Sequence, residues 1–249
     1  MDLGTPIATG NTAKIYLIEN KIIKLFNNEL PNTEAYYEAN KQKFVYSCGL
    51  FVPEIFDVTE IDGKQAIIME YIKGKTIGDL LFDNLEKSEY YMGISIDIQQ
   101  KIHTIVADSL EPMSQKLRRQ IESVPHLDNR HKSNLIYKLD SMTYENRLCH
   151  GDFHLFNLIM SDGKVAVIDW VDSSAGDIRA DIYRTYLLYS QISMDLAQMY
   201  LRIYCEKSGL LQEEIFKWAP IIAAARLSEN VATEKTERLL KIVEHYCPL

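Results

Sequence analysis

The chain has 249 residues, 47% of them hydrophobic and 25% charged, which suits a globular protein that buries one large core or two smaller ones. Its net charge of −8 argues against a nucleic-acid footprint, and no uninterrupted apolar run reaches membrane-spanning length. Cys48, Cys149, Cys205 and Cys247 are far apart and form no C-x-x-C pair, so neither a zinc site nor a disulfide framework is expected. The start, Met1-Asp2-Leu3-Gly4, has no basic region followed by an apolar run, and a cytoplasmic location is expected.

Residues 4–26 read as a three-stranded meander. The first strand ends at Ile7-Ala8, the second covers 13–18 and the third 22–26. The first turn is Thr9-Gly10-Asn11-Thr12. Around Gly10 no side chain blocks close approach, so backbone N–H groups can cradle phosphate oxygens, although a plain hairpin explains the turn equally. Lys24 sits in an otherwise apolar strand, where an unpaired ammonium is costly. It needs either a buried acidic partner or an edge position from which to reach water.

A helix is expected over 33–47, capped by Asn32 or Thr33 and ended at Cys48-Gly49. Ala35, Ala39, Gln42 and Tyr46 share a face there, with Tyr36 and Lys43 beside it. Glu34 and Glu38, four apart, also share a face. Residues 54–59 and 64–70 read as a hairpin around Ile61-Asp62-Gly63. The second of these strands is a continuous apolar run and is expected to be buried on both faces. After Gly74 the pattern turns from strand to helix, which predicts a boundary between domains 1–73 and 74–249. Helices follow over 77–81, from Ser88 through Ile105, over 114–121 and over 128–142. Thr76 and Ser88 are candidate caps and Pro125 a breaker. His103, His126 and His131 show no ligand spacing. Asp177 can cap a helix through Ile178, Ile182 and Leu188. Further helices are expected over 195–207 and 212–225, and a last one containing Arg226-Leu227-Ser228-Glu229-Asn230.

The chemistry concentrates in residues 148–170. A short strand over 147–150 runs into a loop with Asp152 and Asn157 five apart. Residues 158–160 and 165–168 form a hairpin around Ser161-Asp162-Gly163-Lys164. An antiparallel return brings Asp169 back beside Asn157. One carboxylate is then free to act as a base, while the other and an amide oxygen are hard ligands suited to Mg²⁺.

The pattern His150-Gly151-Asp152-x-His154-x-x-Asn157 followed by Ile168-Asp169-Trp170 resembles the aminoglycoside phosphotransferase and choline-kinase-like family of small-molecule kinases. Protein kinases have Arg where Gly151 sits and Phe-Gly where Trp170-Val171 sits. Gly151-Asp152-x-His154 is also similar to dinuclear metallophosphoesterases, but their upstream Asp-x-His and downstream Gly-Asn-His are absent. The resemblance implies an α+β, bilobal protein-kinase-like fold with a small β-rich N-lobe and a larger helical C-lobe. It implies ATP and Mg²⁺ and transfer of the γ-phosphoryl group to a hydroxyl of a small molecule. Asp152 would be the base, Asn157 and Asp169 the metal ligands, and Lys24 the lysine on the α- and β-phosphates. Glu38, with Glu34 as the alternative, would pair with Lys24. The backbone of Glu70 and Ile72 would hold adenine with Met69 lining the pocket, and Asp181 would support the catalytic loop. Asp172, Asp177 and Glu229 join Asp152 in an expected acidic acceptor site, which favours a cationic substrate. The acceptor is left open between an amino-sugar antibiotic and a housekeeping alcohol such as choline, an amino alcohol or a sugar. A non-catalytic nucleotide-binding module is the third reading.

Overall fold

A computed structural model describes residues 3–10, 12–27, 30–125 and 127–248; Met1, Asp2, Asn11, Asn28, Glu29, His126 and Leu249 lie outside these described residues. In chain order the elements are β1 (Ala8–Thr9), β2 (Ala13–Ile18), β3 (Lys21–Phe26), α1 (Glu34–Ser47), β4 (Ile55–Ile61), β5 (Lys64–Glu70), β6 (Lys75–Thr76), α2 (Ile77–Asp83), α3 (Ser88–His103), α4 (Met113–Ser123) and α5 (Asn129–Asp140). Then come β7 (Arg147–Cys149), β8 (Leu158–Ser161), β9 (Lys164–Val167), β10 (Ser174–Gly176), α6 (Ile178–Ile192), α7 (Met194–Ser208), α8 (Gln212–Phe216), α9 (Ala219–Leu227) and α10 (Thr236–Tyr246). The fold is α+β. Its compact units are Met1–Asp83 with Leu155–Val171, and Asn84–His154 with Asp172–Leu249.

In the first unit an antiparallel sheet has the strand order β1-β2-β3-β5-β4. Both of its faces are covered. Ala13, Phe26, Ile67 and Met69 pack with Ala35 and Ala39 of α1, and Tyr16, Ile23, Ile61 and Ala66 form a cluster of their own. This is why β5 reads as an unbroken apolar run. A second sheet, β6-β8-β9, places Lys75 opposite Met160 and Leu158 opposite Val167. The unit boundary therefore differs from a division at Gly74. Lys75-Thr76 stays with the first unit by pairing with β8, and a β-carbon at Gly74 would collide with the Met160 carbonyl.

The buried face of α1 is Ala35, Glu38, Ala39, Lys41, Gln42 and Val45. Tyr36 and Tyr46, expected on or beside that face, are exposed. Neither Asn32 nor Thr33 caps α1. Gln65 of β5 does so instead, accepting from Ala35 N at 3.1 Å and donating to Pro31 O at 2.8 Å. Ser88 makes no cap either, since it is the first residue of α3 and Lys87 is the cap position, without a side-chain bond. Thr76 does cap α2, accepting from Asp79 N at 3.0 Å.

The second unit is helical apart from the pair β7–β10. Two helical expectations are corrected here. The helix expected over 212–225 is two, α8 and α9, because Pro220 in the first turn of α9 has no N–H to continue an earlier helix. Arg226 and Leu227 close α9, and Asn230 takes a positive φ of 48°, so the last helix is α10.

Candidate active site

The first unit holds a cavity of about 490 Å³. Lys24 lies on β3, inside the sheet, so an edge position is ruled out. Its Nζ donates to Glu38 Oε1 at 2.6 Å and lies 3.3 Å from Asp169 Oδ1. Glu38, rather than Glu34, is thus the helix partner. Burial opposes the Lys24 charge, but Glu38 and Asp169 outweigh it and hold the ammonium pKa above its ordinary value. Met69, Glu70 and Ile72 line the same cavity as Lys24, Glu38 and Asp169. The Glu70 N–H donates to Glu54 O at 2.9 Å. Gly10 is not in the lining. Its N–H closes the β1–β2 turn on Ala13 O at 2.9 Å.

The β8–β9 hairpin turns through Asp162 and Gly163, both at positive φ, as the Asp-Gly pair anticipates. It returns the chain so that Ile168 N donates to Asn157 O at 3.0 Å. Asn157 is buried. Asp169 has a φ of 64°, a left-handed conformation that a non-glycine residue holds only when its surroundings fix it. They do so here: Trp170 is fully buried and donates from Nε1 to Val167 O at 3.1 Å. One carboxylate and one amide oxygen suit Mg²⁺, which is typically bound through one or two carboxylates with substrate phosphates completing its shell.

In the second unit β7 leads into Gly151, at a φ of 82°. A β-carbon there would strike the Asp172 carbonyl, so this position needs glycine for both conformation and space. The Gly151 N–H donates to Asp181 Oδ1 at 2.7 Å and its carbonyl accepts from Arg184 Nε at 3.1 Å. Asp181 is fully enclosed, with Gln99 and His103 on its other oxygen at 3.2 and 2.9 Å. Asp152 has His154 Nε2 at 3.5 Å, Arg184 Nη2 at 3.8 Å, and a backbone contact to the buried ring of His150. Burial disfavours its charge, yet the His154 hydrogen bond and the Arg184 guanidinium prevail and hold the carboxyl well below the usual carboxylate range. These contacts keep Asp152 in its ionised, hydrogen-bond-accepting form.

Asp172 and Glu229 line one cavity of about 40 Å³ with Lys116, Arg184 and Gly151, room for only a few water-sized groups. Each acid already has a cation of its own chain. Lys116 Nζ donates to Asp172 Oδ1 at 2.7 Å, and Arg184 Nη2 to Glu229 Oε2 at 2.8 Å, with Arg226 on the same oxygen. Asp177 is not part of this lining. It is buried as the α6 cap, accepting from Arg179 N at 2.8 Å, Arg179 Nε at 2.9 Å and Trp218 Nε1 at 3.0 Å.

Residues 4–219 match the model of the phosphotransferase enzyme family. The chain belongs to that family. Among solved structures it is similar to a thermostable mutant of aminoglycoside phosphotransferase APH(4)-Ia, with a TM-score of 0.73 and 13% identity over 98% of this chain and 95% of that one. It is similar also to amicoumacin kinase hAmiN, solved with AMP-PNP, Ca²⁺ and Ami, with a TM-score of 0.69 and 13% identity over 98% and 88%. Over 177 residues, 61% of this chain, it is 25% identical to acyl-CoA dehydrogenase family member 11 of Pongo abelii. The Homo sapiens protein of that name matches at 24%. The chain spans less than a quarter of the length of those relatives, with 22% and 23% covered.

Within this phosphotransferase the charged residues not foreseen are Arg184, Lys116 and Lys41. Arg184 had a signal, because it lies three residues after Asp181 on a helix with an otherwise apolar stripe, and an arginine on that face needs acidic partners. Lys116 and Lys41 had none, since each meets its partner through a loop far away in sequence.

Proposed function

We propose that the protein transfers the γ-phosphoryl group of ATP to a hydroxyl of a small molecule, an aminoglycoside or a housekeeping alcohol such as choline, an amino alcohol or a sugar. The observation that carries this reading is the Lys24–Glu38–Asp169 ion triad, with Glu38 buried, in the wall of a 490 Å³ cavity. Its cation suits the α- and β-phosphates and its free carboxylate edge suits a metal. ADP and hygromycin B in one APH(4)-Ia complex, and AMP-PNP with amicoumacin kinase, support an adenine nucleotide and a small acceptor. In this division of labour the unit of residues 1–83 and 155–171 positions the nucleotide, and the other unit supplies the base and the acceptor site.

Asp152 orients the acceptor hydroxyl and takes its proton. Arg184, itself anchored on the Gly151 carbonyl, and His154 hold it in place, and Asp181 fixes the Gly151 N–H behind it. Lys24, kept aligned by Glu38, contacts the phosphates, while the Glu70 carbonyl and the Ile72 N–H receive the adenine edge and Met69 packs on its ring. Asn157 and Asp169 would hold Mg²⁺, which neutralises phosphate charge when bound. Most of the acceleration then comes from positioning and charge neutralisation.

The acceptor is proposed to be cationic, with an ammonium group exchanging for Lys116 at Asp172 or for Arg184 at Glu229. The internal pairing means that the gain comes from exchange of partners and not from relief of bare repulsion. The test is an ATP-consumption screen of the purified protein with Mg²⁺ over aminoglycosides, choline, amino alcohols, sugars and nucleosides. ADP release that depends on one acceptor class is expected. Absence of nucleotide binding together with absence of release would overturn the reading, and equal turnover of neutral and amine-bearing analogues would remove the cationic part.

A further inference from the structure

Helix α1 carries a buried cation that the phosphoryl-transfer reading does not use. Lys41 is 4% exposed. Its Nζ donates to the Val171 carbonyl at 2.7 Å and lies 4.3 Å from the centre of the Tyr37 ring. Val171 is two residues beyond Asp169. Glu38, one helical turn before Lys41, holds Lys24, which in turn meets the Asp169 carboxylate. One helix therefore reaches the same turn twice, through the Asp169 side chain and through the backbone that follows it.

The turn needs such support. Asp169 sits at a φ of 64°, a conformation disfavoured for any side chain but glycine's. Before it, the Ile168 N–H is tied to Asn157. After it, the Val171 carbonyl is tied to Lys41. Lys41 thus brings a buried ammonium to the backbone of this turn, where the Val171 carbonyl and the Tyr37 ring help to compensate its charge.

We infer that Lys41, seated on Tyr37, is a positioning residue that clamps the 169–171 turn in the conformation where Asp169 faces a metal-bound nucleotide. This rests on the ATP–Mg²⁺ reading above. The clamp acts on the metal ligand through the backbone, so its loss weakens the metal-dependent part of nucleotide binding and spares the part that depends on the adenine pocket. Supporting residues around metal ligands are typically worth about 10–100-fold in metal affinity.

Calorimetry with ADP, in EDTA and with Mg²⁺, tests this alongside hydrogen exchange of the 168–172 amides in nucleotide-free protein. Lys41→Met keeps the apolar stem and removes the donor. It is expected to leave the EDTA affinity unchanged, to cut the Mg²⁺-dependent gain by about 10–100-fold and to speed exchange after Asp169. Lys41→Arg, which retains a donor, recovers most of the gain. Unchanged exchange and an unchanged Mg²⁺ gain in folded Lys41→Met would overturn the clamp. So would equal losses with and without metal, the mark of a merely structural residue. If Lys41→Met does not fold, Tyr37→Leu decides: a smaller shift in the same direction supports the clamp, and no shift overturns it. A wild-type protein with no Mg²⁺-dependent gain would count against the ATP–Mg²⁺ reading, and the exchange comparison would still judge the clamp.

Discussion

Gly151 and Asp152 divide one task between backbone and side chain. Gly151 provides a conformation and a space that no other residue has, and Asp152 the ionised oxygen that depends on it. Asp152→Asn keeps the shape and removes the proposed base. Turnover is expected to fall by about 10²–10⁴ with nucleotide affinity and melting temperature nearly unchanged, and near-normal turnover in the folded variant would remove Asp152 from that role. Gly151→Ala forces a β-carbon against the Asp172 carbonyl at a φ of 82°. A stability loss of at least about 1–3 kcal/mol is expected from strain of this kind, read as a lower midpoint in urea, and turnover falls with it because Asp152 is the next residue. Asp169 and Asn157 separate by charge. Asp169→Ala is expected to weaken Mg²⁺–nucleotide binding more than Asn157→Ala, because a carboxylate neutralises the cation and an amide does not; calorimetry giving the reverse order would contradict the assignment.

At the scale of elements, α1 connects the sheet to the catalytic chemistry. Its apolar side packs Ala35 and Ala39 against the sheet, with Ile67 and Met69 of β5, and its charged side, Glu38 and Lys41, faces Lys24 and the 169–171 turn. The helix is begun by a residue of another element, Gln65 of β5. Gln65→Leu is expected to cost about 0.5–2 kcal/mol, the range for a lost helix cap, measured by denaturant unfolding. A variant as stable as wild type would show that the Gln65 bonds add nothing. The α8–α9 break shows a different level of control. Pro220 was visible in the sequence, yet the apolar run from Ile215 to Leu227 disguised it, because both short helices pack inward and periodicity alone cannot separate them.

Across the whole molecule, acid sensitivity follows from how carboxylates are held. Burial would raise the pKa of Asp172 and Asp181, but Lys116 for the first and His103 for the second reverse this, so both lie below their ordinary value. Asp152 behaves in the same way. A group whose folded pKa is depressed adds stability above its unfolded pKa and loses it as pH falls through the folded one. Stability is therefore expected to hold from neutral pH to about pH 5 and to drop below about pH 4. Urea midpoints across that range check it, and Asp172→Asn should flatten the drop. A decline that is complete above pH 5 would assign acid sensitivity to other groups. Burial holds the Cys149 thiol far above its ordinary pKa, so it is expected to stay unreactive toward a thiol reagent in the native protein.

The sequence by itself determined the catalytic hairpin. Its signals are local: the five-residue spacing of Asp152 and Asn157, the Asp162-Gly163 turn that fixes the register, and the β-branched return strand. The same holds for most strands and helices, whose apolar periods are read within a dozen residues, and for Lys24, whose isolation in an apolar strand called for either an acidic partner or an edge position. Only the tertiary structure decided which glutamate that partner is, because Glu34 and Glu38 share a helix face and the contact to Lys24 distinguishes them. It also decided that Asp177 is engaged by Arg179 and Trp218, that Asp172 and Glu229 are balanced by Lys116 and Arg184, and that Lys41 reaches Val171. Each of these joins residues two to 130 positions apart through ion pairs and hydrogen bonds. Such bonds are set by distance in space, and a periodic reading of the chain carries no information about them.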